Sequence, residues 1–290
     1  MTQNKSLAKI ALILVAIIWG ITFIMVKDAL NDAPPFSFAT LRFGMASLLT
    51  LLLINNKILL VTKNELIGGI ICGSFLYFGY AFQNFGLIHT TASKSAFITS
   101  VSVLMVPFIL LILKIQSINF KTWMAVILAT IGLYLLLVPG ENKMNSGDIL
   151  TFGCALSFAI HIVTQDKYIK KAVKILPFFF IQVGFVTTLS FLSAFMTETE
   201  SIIWSNRLLI AVMVTGTFAT FVAILIMIWA QKILKPTETA LIFSLEPVAA
   251  TIFAMIFASE FLGVWGWIGG GLICFAVAFG ESNQSSSINI

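Results

Sequence analysis

The sequence predicts an all-α integral membrane protein of ten transmembrane helices built as two inverted five-helix repeats. Three observations predict it. Hydrophobic residues make up 59% of the 290 and charged residues 10%, with a mean hydropathy of +1.03, where a soluble domain carries about 25% charge. Nearly all charges lie in short gaps between ten apolar stretches. Each stretch approaches the ~20 residues with which a helix crosses about 30 Å of hydrocarbon while pairing its own backbone groups. With five spans in each half, the second half must insert with the orientation opposite to the first, which is an inverted repeat.

The spans are expected at residues 8–27, 36–54, 65–87, 93–113, 121–138, 147–165, 176–196, 207–230, 237–257 and 263–280. The first carries Trp19, Gly20 and Thr22: a bulky ring, a small residue and a hydroxyl. The second holds Arg42 toward its outer end, where it would draw anionic groups to a vestibule or snorkel to the headgroups. The third sets Tyr77, Tyr80 and Asn84 on one face at i, i+3 and i+7, beside Gln83. The fourth sets Ser95, Thr99 and Ser102 on one face at i, i+4 and i+7. These hydroxyls would wall a polar cavity or hydrogen-bond between helices. Lys94, at its start, is expected to snorkel.

The fifth span has a small-residue face at Ala125 and Ala129, and the tenth has another at Gly266 and Gly270, suited to tight packing or a homodimer contact. The sixth carries Ser157, His161 and Gln165 at i, i+4 and i+8. His161 would bind a proton near neutral pH or serve as a hydrogen-bonded structural residue. Trp229 ends the eighth span as an interfacial anchor. Glu246 lies about nine residues into the ninth, roughly 14 Å deep. A carboxylate there costs about 2.5–3.5 kcal/mol if it faces lipid, so it should face the bundle interior. It would bind a proton, or would cap carbonyls freed by Pro247.

The charges in the gaps report orientation. With the N-terminus inside, twelve Lys fall on the cytoplasmic side, while Lys27, Arg42, Lys94, Lys143 and Arg207 fall outside. That bias places both termini in the cytoplasm. The net charge of +5 is therefore a topology signal rather than a nucleic-acid surface. A shift of 144 residues aligns Ser95-Ala96 with Thr239-Ala240, Ser100 with Ser244, Ser102 with Glu246 and Trp123 with Trp267. The two units are residues 8–138 and 147–280, and 281–290 form a Ser-rich tail expected to be disordered.

No gap is long enough for a soluble domain, so function must lie within the bundle. Cys72, Cys154 and Cys274 read as packing residues. With two His, no HExxH, no Cys/His cluster and no Walker A sequence, metal sites, metalloprotease chemistry and direct ATP hydrolysis have no residues to carry them. No cofactor is expected. The stretch from Leu7 reads as a span rather than a signal segment.

Trp19-Gly20, Gln83-Asn84-Phe85-Gly86-Leu87, the run from Thr90 to Phe97, Val106-Pro107, Ser244-Leu245-Glu246-Pro247 and Glu260 together resemble the EamA family of the drug/metabolite transporter superfamily. The resemblance implies two units of five helices around a central cavity built by helices one to four and six to nine, with five and ten peripheral. It implies export of a small metabolite, amino acids among them, across the cytoplasmic membrane by alternating access. The second unit departs from the pattern with Ser157-Phe158 where the first has Trp-Gly.

The expected substrate site comprises Trp19, Thr22, Tyr77, Tyr80, Asn84, Thr99, Ser102, His161 and Glu246, with Arg42 at a vestibule. Its mixed aromatic and hydroxyl lining suits a small zwitterion, and Glu246 would couple transport to protons. The alternative is a membrane enzyme or lipid-handling protein with Glu246 and His161 as an acid and base pair.

Overall fold

The computed structural model describes residues 2–53, 61–115, 117–137, 145–171, 174–257 and 263–281. Glu260 and the tail from 282 lie outside them. The described residues are all-helical: α1 Thr2–Ala29, α2 Pro35–Leu53, α3 Lys63–His89, α4 Ala92–Ser100 continued by Ser102–Ile112, α5 Phe120–Leu137, α6 Ser146–Ile169 and α7 Ile175–Thr197. Then α8 runs through Asn206–Val214, Thr215–Val222 and Ala223–Gln231, α9 through Pro236–Phe243 and Glu246–Phe257, and α10 over Val264–Glu281. Eight are long and apolar enough to cross a membrane, and α5 and α10 contribute shorter apolar stretches.

Local chemistry fixes the starts. Thr62 and Glu65 close a capping box on α3, and Asn145 and Asp148 close one on α6. Ser205 accepts from Leu208 N–H to begin α8. Pro247 cannot donate to Phe243 C=O, so α9 breaks just before it, with tightened i→i−3 bonds from Ser244 and Leu245. A matching tight turn at Val101 divides α4. The two breaks, at Val101 and Leu245, are 144 residues apart.

α3 packs on α6, α2 on α7, α5 on α10, and α1 on α8 and α9. The α3–α6 crossing is very close: a Cβ at Gly147 would sit 2.5 Å from Gly86 O. Ala125 and Ala129 are fully buried, and α5 and α10 use their small-residue faces on each other. The face offered for a homodimer is thus occupied within the chain. Side chains such as Leu52, Ile112 and Phe195 point outward, a belt whose only suitable solvent is lipid. Cys72 and Cys154 are buried as packing residues, whereas Cys274 is exposed on that outer surface. Trp229, near the end of α8, is half-buried against the core.

Polar clasps bind the helix ends. At the α1–α2 end, Asp32 accepts from Arg207 Nη2 and Nε at 2.6 and 2.7 Å and from Ser205 Oγ at 2.6 Å. Those bonds, led by the one from Arg207, hold its carboxyl down to about 2 from an ordinary 3.8. Glu198 accepts from Phe36 N, Ser37 N and Ser37 Oγ, a cap that α7's end supplies to α2. Lys94 does not simply snorkel: it pairs with buried Asp148, which also accepts from Thr90 Oγ1 at 2.7 Å. Lys27 donates to Leu87 O and Thr90 O. At the opposite end, Lys174 N donates to Glu65 Oε1 at 2.8 Å.

Candidate functional site

A cavity lies in the middle of the bundle, walled by α1, α2, α3, α4, α6, α8 and α9. α1 presents Trp19 and Thr22 to it one turn apart. Trp19 is fixed by its ring N–H, which donates to Ala219 O at 2.7 Å, and by Phe243, whose ring centroid is 4.9 Å away. Between them Gly20 lets α1 touch α9: a Cβ there would lie 2.7 Å from Glu246 O. That contact sets the depth at which Glu246 enters the cavity.

Glu246 follows the α9 break directly, so its side chain sits at the start of a helix segment, where N–H groups lack intrahelical partners. It is 7% exposed and has no hydrogen-bond partner among the described residues. Arg42, expected at a vestibule, is instead a wall of the same cavity and only 3% exposed. It starts two turns into α2, and its side chain turns inward to Tyr80. Its Nε donates to Thr220 Oγ1 at 2.8 Å, its Nη2 donates to Tyr80 OH at 3.2 Å, and its guanidinium carbon lies 4.4 Å over the Tyr80 ring. No ion pair joins Arg42 to Glu246 among the described residues. An acidic and a basic side chain therefore face one cavity without an ion pair between them among the described residues.

Thr99 and Ser102 line the cavity from either side of the Val101 break, with Ser100 beside them. Tyr77 and Asn84 do not line it. The inward face of α3 is Leu76, Tyr80, Gln83 and Leu87, so Tyr77 and Asn84 lie about one residue, or roughly 100° of helix rotation, away. Tyr77 OH instead bonds Ser193 Oγ at 2.6 Å, and Asn84 Nδ2 donates to Pro35 O at 3.1 Å. His161 does line the cavity, with Nε2 3.0 Å from Gln182 Oε1. No hydrogen bond links it to Glu246 among the described residues.

Other lining residues carried no signal in the sequence. Phe23, Phe158 and Phe243 are three of 27 phenylalanines, and nothing local separates an inward ring from a lipid-facing one. Gln83 was adjacent to the expected face and is the residue that points in. Thr220, buried behind Arg42, was unmarked because its role depends on a helix 178 residues away in the chain.

A multi-pass helical membrane protein with a polar-lined cavity among its helices fits the class of membrane transporters, and its relatives place it there. The EamA-like transporter family model matches residues 6–138 and again 145–279, and the chain belongs to that family. An uncharacterised transporter of Archaeoglobus fulgidus is 34% identical over 93% of this chain and 84% of its own length. The uncharacterised transporter YoaV of Bacillus subtilis is 24% identical over 92% of this chain and 94% of its own. A solved crystal structure superposes with a TM-score of 0.77 at 16% identity over 98% of this chain and 99% of that one, a likeness of fold.

Proposed function

We propose that the chain is a secondary transporter that exports a small metabolite across the cytoplasmic membrane by alternating access, with both termini in the cytoplasm. The observation that carries this reading is the central cavity, which is lined by Arg42 and Glu246 from different helices with no ion pair between them among the described residues. Unpaired buried charges are costly in a merely structural bundle, and they are the usual mark of a substrate or ion pathway. A small zwitterion such as an amino acid is the substrate favoured by that lining.

The two family matches, the breaks 144 residues apart and the contacts support two inverted five-helix repeats spanning ten times. Exchanging each helix of the first five with its counterpart in the second five turns the α3–α6 contact into α8–α1 and α4–α6 into α9–α1, all four of which are present. It leaves α2–α7 and α5–α10 in place.

Glu246 is the proton-coupling residue in this reading. In proteoliposomes, Glu246→Gln is expected to retain the wild-type melting temperature, to exchange substrate at equal pH with a raised half-saturation concentration, and to lose the uptake driven by a pH gradient. Undiminished pH-driven uptake by the variant would remove the coupling role from Glu246.

A further inference from the structure

We propose that Arg42, seated on Tyr80 and positioned by Thr220, is a carboxylate seat, so that the molecule transported is a zwitterion with its carboxylate at Arg42 and its ammonium at Glu246. The proposal rests on the central cavity being the transport site.

A guanidinium carries five N–H groups in a rigid fork. Two are engaged, Nε–H by Thr220 Oγ1 and one on Nη2 by Tyr80 OH, and one face is covered by the Tyr80 ring. No protein acceptor takes the other three among the described residues. A carboxylate is the partner whose two oxygens match such a fork. Glu246, on another wall, is a buried acceptor with no donor among the described residues. A ligand with only a carboxylate would leave Glu246 to be answered by a proton alone, and a simple amine would leave Arg42 unanswered. A zwitterion answers both. The remaining wall, including Leu76, Leu87, Ile162, Ile224 and Met227, is apolar and suits a neutral side chain.

Thr220 explains why the fork is held still. It lies in the widened turn Thr215–Val222 of α8, where its hydroxyl donates to Thr215 O at 2.8 Å, five residues back. With its proton committed there, the oxygen presents lone pairs to Arg42 Nε–H and cannot rotate into a competing donor. The same widened turn offers Ala219 O to the Trp19 ring N–H. Such turns recur at functional sites. Thr220 thus acts through Arg42 as a positioning residue and does not itself line the cavity.

The test is uptake into proteoliposomes of the common amino acids, each matched to its decarboxylated amine and its deaminated acid, alongside a labelled cell-metabolite extract. At least one amino acid is expected to enter tenfold or more faster than its matched amine and acid. Equal flux of the amine or acid, or flux confined to extract compounds lacking either charge, would overturn the zwitterion assignment while leaving transport intact. No flux of any compound would instead remove the transport reading itself.

For the seat, Thr220→Val keeps the shape and loses the acceptor. Its half-saturation concentration for that amino acid should rise about tenfold, the scale of one hydrogen bond to a charged group, at unchanged maximal rate. Thr220→Ser should restore it. Melting temperature identifies any variant that has merely lost its fold, and Arg42→Lys then tests the same fork by keeping the charge. Wild-type affinity in both Thr220→Val and Arg42→Lys would refute the seat.

Discussion

Gly20 shows how much one missing methyl group decides at the residue scale. An added Cβ would lie 2.7 Å from both Glu246 O and Ala249 Cβ and 2.8 Å from Ala250 N. Two of those atoms are backbone, so relief requires α1 and α9 to separate. Gly20→Ala is expected to cost about 1–3 kcal/mol and to displace Glu246, lowering both melting temperature and transport. Gly184→Ala is the control: nothing lies within 4 Å of a Cβ there, and alanine's better helix propensity should hold or raise the melting temperature. Equal effects of the two substitutions would show that the α1–α9 crossing tolerates a methyl. Residues of this kind were only partly legible. Trp19-Gly20 stood out, as did Glu246, because a carboxylate deep in an apolar span has few acceptable surroundings. Arg42 is expected at a vestibule and instead lines the cavity, since snorkelling and inward turning suit the same position in a sequence. Tyr77 and Asn84 were placed on the cavity because a face spaced i, i+3, i+7 is wide enough to include neighbours roughly 100° off the true inward direction.

Elements were legible in extent and illegible in their irregularities. Length and hydropathy locate α1 to α10 to within a few residues, because crossing hydrocarbon imposes both. Pro247 foreshadows the break in α9, but nothing at Val101 announces the one in α4, and no proline or glycine pair explains why the widened turn in α8 spans Thr215–Val222. These features answer to tertiary partners, such as Arg42 and Trp19 for α8. The connections follow a different logic. Asp32 ties the α1–α2 turn to the start of α8 through Arg207 and Ser205. Its carboxyl titrates near 2 in the folded chain against 3.8 ordinarily. Because the folded value is the lower one, this clasp stabilises fully above the ordinary value and loses its contribution as pH falls through about 2. Wild type should therefore melt above Asp32→Asn near neutral pH, and the gap should narrow below about pH 4 and close near pH 2. A gap independent of pH over that range would mean that the clasp acts through shape rather than charge.

For the whole molecule, the run of apolar helices was readable from the sequence, while the pairing of helices was not, because apolar faces look alike to one another. That pairing brings Leu87 to the α1–α2 end of the cavity and Met227 to the opposite end, both buried at 1% and 3% exposure. Rocking of the two halves would open one end while it closes the other. Cys72 and Cys154 are buried and Cys274 alone is exposed, so a Cys274→Ser background should be quiet toward impermeant thiol reagents. In it, Leu87→Cys and Met227→Cys should react from opposite faces of the membrane. Any condition that speeds one, a saturating amino acid or a pH gradient, should slow the other. A channel would behave differently, because both thiols would be reached together and respond in the same direction. Labelling at both positions that rises and falls in parallel would exclude alternating access while leaving the cavity as the route, and reciprocal labelling would tie the clasps at the two ends to a single two-state motion.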